Sequence, residues 1–144
     1  MGKRRNKRQV DPVRCPYCDS VARLVKGNEI YPHRKDLAYL NFYLCEGTHF
    51  RPHERAYVGT HKGTIIPLGR LADEKLRWAK SQAHRAFDRI WREGHMSRPQ
   101  AYAWLSKQLG LTPAMTHIGM FTVERCQEVE RLARNYMAAI EFGD

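Results

Sequence analysis

A chain of 144 residues has room for one ordinary domain, or for a small metal module joined to a small helical unit, but not for three compact parts. Its formal net charge of +10, from 25 Lys and Arg against 15 Asp and Glu, makes a polyanion such as nucleic acid the expected partner. No run of about 18 apolar residues is present to cross a bilayer, and no apolar segment follows the basic start to make a secretory signal, so a cytoplasmic location away from membranes is expected.

The charge is uneven. Residues 1–70 hold 14 basic and 6 acidic side chains whereas residues 71–144 hold 11 and 9, so the first half carries most of the surplus. Residues 1–11 read as a disordered basic arm, in which Lys3, Arg4, Arg5, Lys7 and Arg8 neutralise phosphates and release counterions without reading base sequence. Arg14 continues that basic character into the folded part.

Residues 12–69 show short strands and turns. A Cys-Pro-Tyr-Cys knuckle, Cys15 to Cys18, is followed by VARLV, the turn Lys26-Gly27-Asn28 and EIY, a pattern that predicts a hairpin. In LAYLNFYLC, Leu40, Phe42 and Leu44 alternate with period two, and AYVGTH and TIIPL add further β-prone runs. Few large aliphatic side chains lie in this stretch, so it needs an added staple to hold its fold.

From residue 70 to 141 the period changes to that of helices. Leu76, Ala79, Ala83, Phe87, Ile90 and Trp91 recur at three- and four-residue steps, and Gly94 ends the first helix. Ser97 and Gln100 have capping-box spacing and open a second helix to Leu109, which Gly110 closes. The linker LTPAMTHIGMF leads to a third helix, capped by Thr122 and buried through Val123, Cys126, Val129, Leu132, Tyr136 and Met137. The expected fold class is α+β, a zinc-ribbon-like β module packed on a three-helix domain.

Zinc needs about four soft or borderline ligands in a tetrahedron, and a Cys-x2-Cys turn offers two thiolates from one tight loop. Cys15 and Cys18 supply that pair, and Cys45 ends a strand further on with His49, His53 and His61 behind it. One structural Zn2+ on three thiolates and one imidazole is expected. His49 has the shorter spacing from Cys45, while EGTHFRPHER reads as a loop that can equally deliver His53. A redox role for the Cys-x-x-Cys pair requires a βαβ context, which is missing here. Cys126 falls on an apolar helical face, where a free thiol acts as a small hydrophobe.

The pieces Tyr57-Val58-Gly59, His61, Pro67-Leu68-Gly69, Ala83-His84, Phe87-Asp88, Trp91, Ser97-Arg98, Ala101-Tyr102, Trp104-Leu105 and His117-Ile118-Gly119 together resemble a family of small phage and prophage proteins described only as zinc-finger-containing. The resemblance covers nearly everything from Cys15 to about Val129. It implies a zinc finger, a phage or bacterial origin and therefore a bacterial host cytoplasm, and it implies no settled activity. The family places a second Cys-x2-Cys just before the AYVG element, whereas this chain has Cys45, a longer insert and then His53-Glu54-Arg55 before Ala56. That departure favours His53 as fourth ligand, with His49 and His61 as alternatives.

His61 at a strand end and His84 in the following helix are the catalytic candidates, because ββα-metal nucleases place a base and a metal ligand in such positions. The segment between them offers only Asp73 and Glu74 as further ligands, and His84 has Asp88 one turn on as a partner. A non-catalytic reading is therefore preferred. Lys75, Arg77, Lys80, Arg85, Arg89 and Arg92 lie beside the first helix's apolar stripe, and of these Lys75, Arg77, Lys80 and Arg85 are assigned with Arg14 and the arm to phosphate contact. The expected function is nucleic-acid association, with a phage effector that binds and inhibits a host protein as the alternative and a metal-dependent nuclease third.

Overall fold

The computed structural model describes residues 11–143. Lys3, Arg4, Arg5, Lys7 and Arg8 of the expected basic arm lie outside the described residues. The chain divides into two units between Asp73 and Glu74. The first holds a three-stranded antiparallel sheet and the second three long helices, an α+β arrangement.

In the first unit, strands β1 (Arg23–Lys26), β2 (Asn41–Gly47) and β3 (Pro52–Gly59) lie in that spatial order. A pleated strand sends successive side chains to opposite faces, and the central strand β2 uses both. Phe42 and Leu44 join Val25, Ile30 and Tyr57 on one face, while Tyr43 and Cys45 join Cys15, Cys18, Ala22, Ala56 and Leu71 on the other. The alternation of Leu40, Phe42 and Leu44 therefore marks only half of what β2 buries. The outer edge of β3 is covered in part by Ala72, whose N–H and carbonyl exchange two 3.0 Å hydrogen bonds with Tyr57.

Two expected elements are replaced. The hairpin at Lys26-Gly27-Asn28 is absent: Gly27–Ile30 forms one helical turn, and β1 pairs instead with β2. Tertiary contacts outweigh the local turn preference here. Ile30, 2 % exposed, reaches the core from that turn. Gly27 packs so closely on the Leu37 carbonyl that any Cβ would collide with it. TIIPL is likewise not a strand. After the Thr60–Pro67 bridge the segment closes as a turn, with the His61 N–H donating to the Ile66 carbonyl, and Ile65, Ile66 and Leu68 are exposed. Pro67 lacks the N–H that a continuing ladder needs.

The helical unit comprises α1 (Glu74–Arg92), α2 (Arg98–Leu109) and α3 (Val123–Phe142). On α1, Leu76, Ala79, Ala83, Phe87 and Ile90 are buried as the period requires, Ala86 joins them, and Trp91 sits half-buried on the flank. On α3, Cys126, Val129, Ala133 and Met137 are buried, so Ala133 holds the core position expected of Leu132. Ala83, Cys126 and Ala133 are each fully buried, and such small side chains let α1 and α3 approach closely.

The helix ends follow their capping chemistry. Ser97 and Gln100 form a reciprocal capping box on α2, and Thr122 accepts the Arg125 N–H on α3. After α1, Gly94 (φ +81°) lets its own N–H reach Trp91 O and that of His95 reach Ile90 O. The linker between α2 and α3 contributes to the core through Ile118, 2 % exposed.

Candidate metal centre

Two turns of the β unit present four ligand atoms to one point. In the first, Cys15–Cys18 forms a knuckle: the Asp19 N–H donates to Cys15 O at 2.7 Å and the Cys15 N–H to Ser20 O at 2.8 Å. Asp19 takes a positive φ of 62°, and Arg14 Nη1 braces it by donating to its carbonyl at 2.8 Å. In the second, β2 and β3 meet through a bulge between Cys45 and Gly47, and a tight turn over Thr48–Arg51 returns the chain so that His53 faces Cys45.

Gly47 makes the second turn possible. Its φ is +90°, a conformation L side chains rarely adopt, and a Cβ there would lie 2.7 Å from the His53 backbone nitrogen. The stretch expected to be a loop is thus two strand ends and a closed tip.

Cys15, Cys18, Cys45 and His53 bring their ligand atoms within 4.8 Å of one another. The separations are 3.4 Å from Cys15 Sγ to His53 Nε2, 3.5 Å from Cys18 Sγ to Cys45 Sγ and 3.6 Å from Cys45 Sγ to His53 Nε2. Tetrahedral zinc with Zn–S of about 2.3 Å and Zn–N of about 2.05 Å requires S···N near 3.6 Å and S···S near 3.8 Å. The donor set fits one structural zinc ion.

The surroundings suit bound thiolates. The N–H groups of Tyr17 and Gly47 point at Cys15 Sγ and Cys45 Sγ, at 3.4 and 3.5 Å. His53 Nδ1 is 2.6 Å from its neighbour Glu54's carbonyl, which fixes the proton there and leaves the Nε2 lone pair for metal. Hydrogen bonds from Ser20, side chain first and backbone next, hold the Cys18 thiol down at about 6, while burial pushes Cys45 up to about 11. Burial works against charge on His53, but the Glu54 carbonyl and Cys18 outweigh it and raise the imidazole. Tyr17 leans on the His53 ring at 5.5 Å and its hydroxyl accepts the Asp73 N–H at 3.1 Å. Ser20, Gly47 and Tyr17 carry no ligand signature, and only the Gly at Gly47, just before the turn, hints at its part.

The other three candidate histidines stand apart. His49 is exposed at the hairpin tip, packed edge-on against Phe50, and His61 is exposed in the turn after β3. His84, on α1, sits 3.4 Å from the Asp88 carboxylate, which also accepts the Trp91 indole N–H. His61 and His84 belong to different units. Among the described residues, no group of three or more potential ligands contains either one.

The four basic residues of α1 assigned to phosphate contact do not share a face of that helix. Lys75 and Arg85 are exposed whereas Arg77 and Lys80 are half-buried. At 100° per residue Lys80 lies about 140° round α1 from Arg85, but Arg89 and Arg92 fall within about 40° of it. Arg85, Arg89 and Arg92 line a shallow depression of about 540 Å³ with His84, Asp88 and Glu93. Arg89 is engaged by Glu93 at 2.7 Å and Glu141 at 3.3 Å. No helix is long and apolar enough among the described residues to cross a membrane.

A family model described as a zinc-finger-containing domain matches residues 11–136, which span the β unit and most of the helical one. No curated protein and no solved structure matches the chain.

Proposed function

Given that the chain belongs to the zinc-finger-containing domain family, we propose that it is a non-catalytic protein that associates with nucleic acid, its zinc serving structure alone. One observation carries this reading. All four positions of a tetrahedral site are taken by Cys15, Cys18, Cys45 and His53, which leaves none for a substrate, while a formal charge of +10 remains for an outside partner. The cationic contributors are the basic residues before position 10 and, on α1, the outward Arg85 with Arg92. The setting is phage or prophage, in the bacterial cytoplasm, as the sequence resemblance implies.

Fluorescence anisotropy with labelled oligonucleotides tests this. Binding is expected to weaken steeply with salt, with a log–log slope of about −4 if five or so phosphates are contacted. An absence of binding to either single strands or duplex at low salt ends the reading.

A second reading, an effector that binds a host protein, is favoured by an apolar groove of about 380 Å³ lined by Leu111, Met115, Met120, Phe121 and Arg125. Met115 and Met120 are 61 % and 55 % exposed there, and flexible thioethers suit adaptable apolar contact. Stoichiometric capture of one host protein that Met115→Glu abolishes supports this reading over the first.

A further inference from the structure

The tip of the β2–β3 hairpin holds a side chain that neither the core nor the metal site uses. Phe50 is 89 % exposed, more than any other large apolar side chain among the described residues. Its position is built. The Thr48 N–H donates to Arg51 O at 3.1 Å and the Arg51 N–H to Thr48 Oγ1 at 2.9 Å, which closes the turn. The turn's two legs carry Cys45 and His53, so the zinc ion clamps its base. His49 stands nearly perpendicular to the phenyl ring, at 80° and 5.3 Å, and orients it. Arg51 joins the turn through its backbone N–H and carbonyl and is itself exposed.

A phenyl ring held in water by a closed turn, with a histidine ring against it and an exposed arginine next in the chain, has the chemistry of a base-stacking platform. A protein-docking surface would show as a contiguous exposed apolar patch. Here the flanking residues are Thr48, His49, Arg51 and Pro52. Duplex nucleic acid has its bases stacked on each other and offers this ring no open face.

Resting on the nucleic-acid reading above, we infer that the hairpin tip recognises single-stranded nucleic acid, Phe50 stacking on an unpaired base and Arg51 meeting the adjacent phosphate.

The test uses the full zinc-loaded chain with two probes, an oligothymidine of about a dozen nucleotides and a duplex of the same length. Phe50→Ala is expected to weaken oligothymidine binding about tenfold, as loss of one stacked base does, with duplex binding and zinc content unchanged. Phe50→Tyr restores it. Arg51→Ala reduces the salt slope on the single strand by about 0.7. If the wild type binds oligothymidine and Phe50→Ala binds it equally well, or if that variant weakens both probes alike, this inference is overturned and the broader reading stands. If the wild type binds neither probe, both fall together.

Discussion

At the centre of the β unit the buried side chains include Cys15, Cys18 and Cys45 with His53 beside them, groups that repel or protonate unless a cation joins them. At the centre of the helical unit are Phe87, Ile90, Leu105, Ile118 and Val129, which need nothing but each other. Two units of similar length in one chain thus exclude water by different means. The first is conditional on metal, and the second is not. The same residue type shows the contrast: three cysteines of the β unit converge on one point, while Cys126 is packed alone in apolar surroundings.

Chelation should separate the units most sharply. Zinc contributes about 10–16 kcal/mol of apparent binding free energy to comparable small folds, so EDTA, or Cys45→Ser, should unfold the β unit and leave the helical far-ultraviolet signal intact. After EDTA, three thiols of the wild type should react with a disulfide reagent near neutral pH, and two in Cys45→Ser. Cys126 should stay silent until denaturant is added, because burial pushes its thiol up to about 11. Four reactive thiols before denaturant would break the distinction. Phe87→Ala should do the converse, removing about 3–5 kcal/mol from the helical unit. It would lower the thermal midpoint of the helical signal with zinc content unchanged.

Gly47→Ala should cost about 1–3 kcal/mol through a strained positive φ and the close His53 backbone. Competition with a chromophoric chelator should find that cost in zinc affinity, with helix melting unaltered. Alkali should act on the other unit through Cys126. Its folded value, about 11, exceeds the ordinary 9.0, so the stabilisation is complete below pH 9 and is lost as pH rises toward 11. Thermal melts across that window should show a decline that is smaller in Cys126→Ala. Smallest is Ser97→Ala, which removes one side of the α2 capping box and should lower helical stability by about 1 kcal/mol.

Elements governed by local rules were legible in the sequence. The Cys-x2-Cys knuckle, the capping box at Ser97, the cap at Thr122 and the glycines after α1 and α2 depend on a few neighbouring residues, and their spacing announces them. Positions decided by distant contacts were not. Gly27-Asn28 has the composition of a hairpin turn, yet the nearby Leu37 carbonyl and the burial of Ile30 set its conformation. The departure before Ala56 already favoured His53 among His49, His53 and His61, but its cause lay out of sight: a bulge at Gly47 turns His49 out to the tip and brings His53 back beside Cys45. Similarly, a helical period locates the apolar stripe of α1 but leaves open which basic residues stand opposite it. Only when the core is known do Arg85, Arg89 and Arg92 separate from Lys80.

The bulge at Gly47 also makes the hairpin tip a cassette. Because Gly47 and Pro52 are paired across its base and the Thr48 hydroxyl closes the turn, the three residues after Thr48 can be exchanged as a block while Cys45 and His53 keep their separation. A library randomised at positions 49–51 would therefore vary what the tip contacts without re-engineering the metal site. The zinc module would act as a display scaffold with interchangeable fingertips.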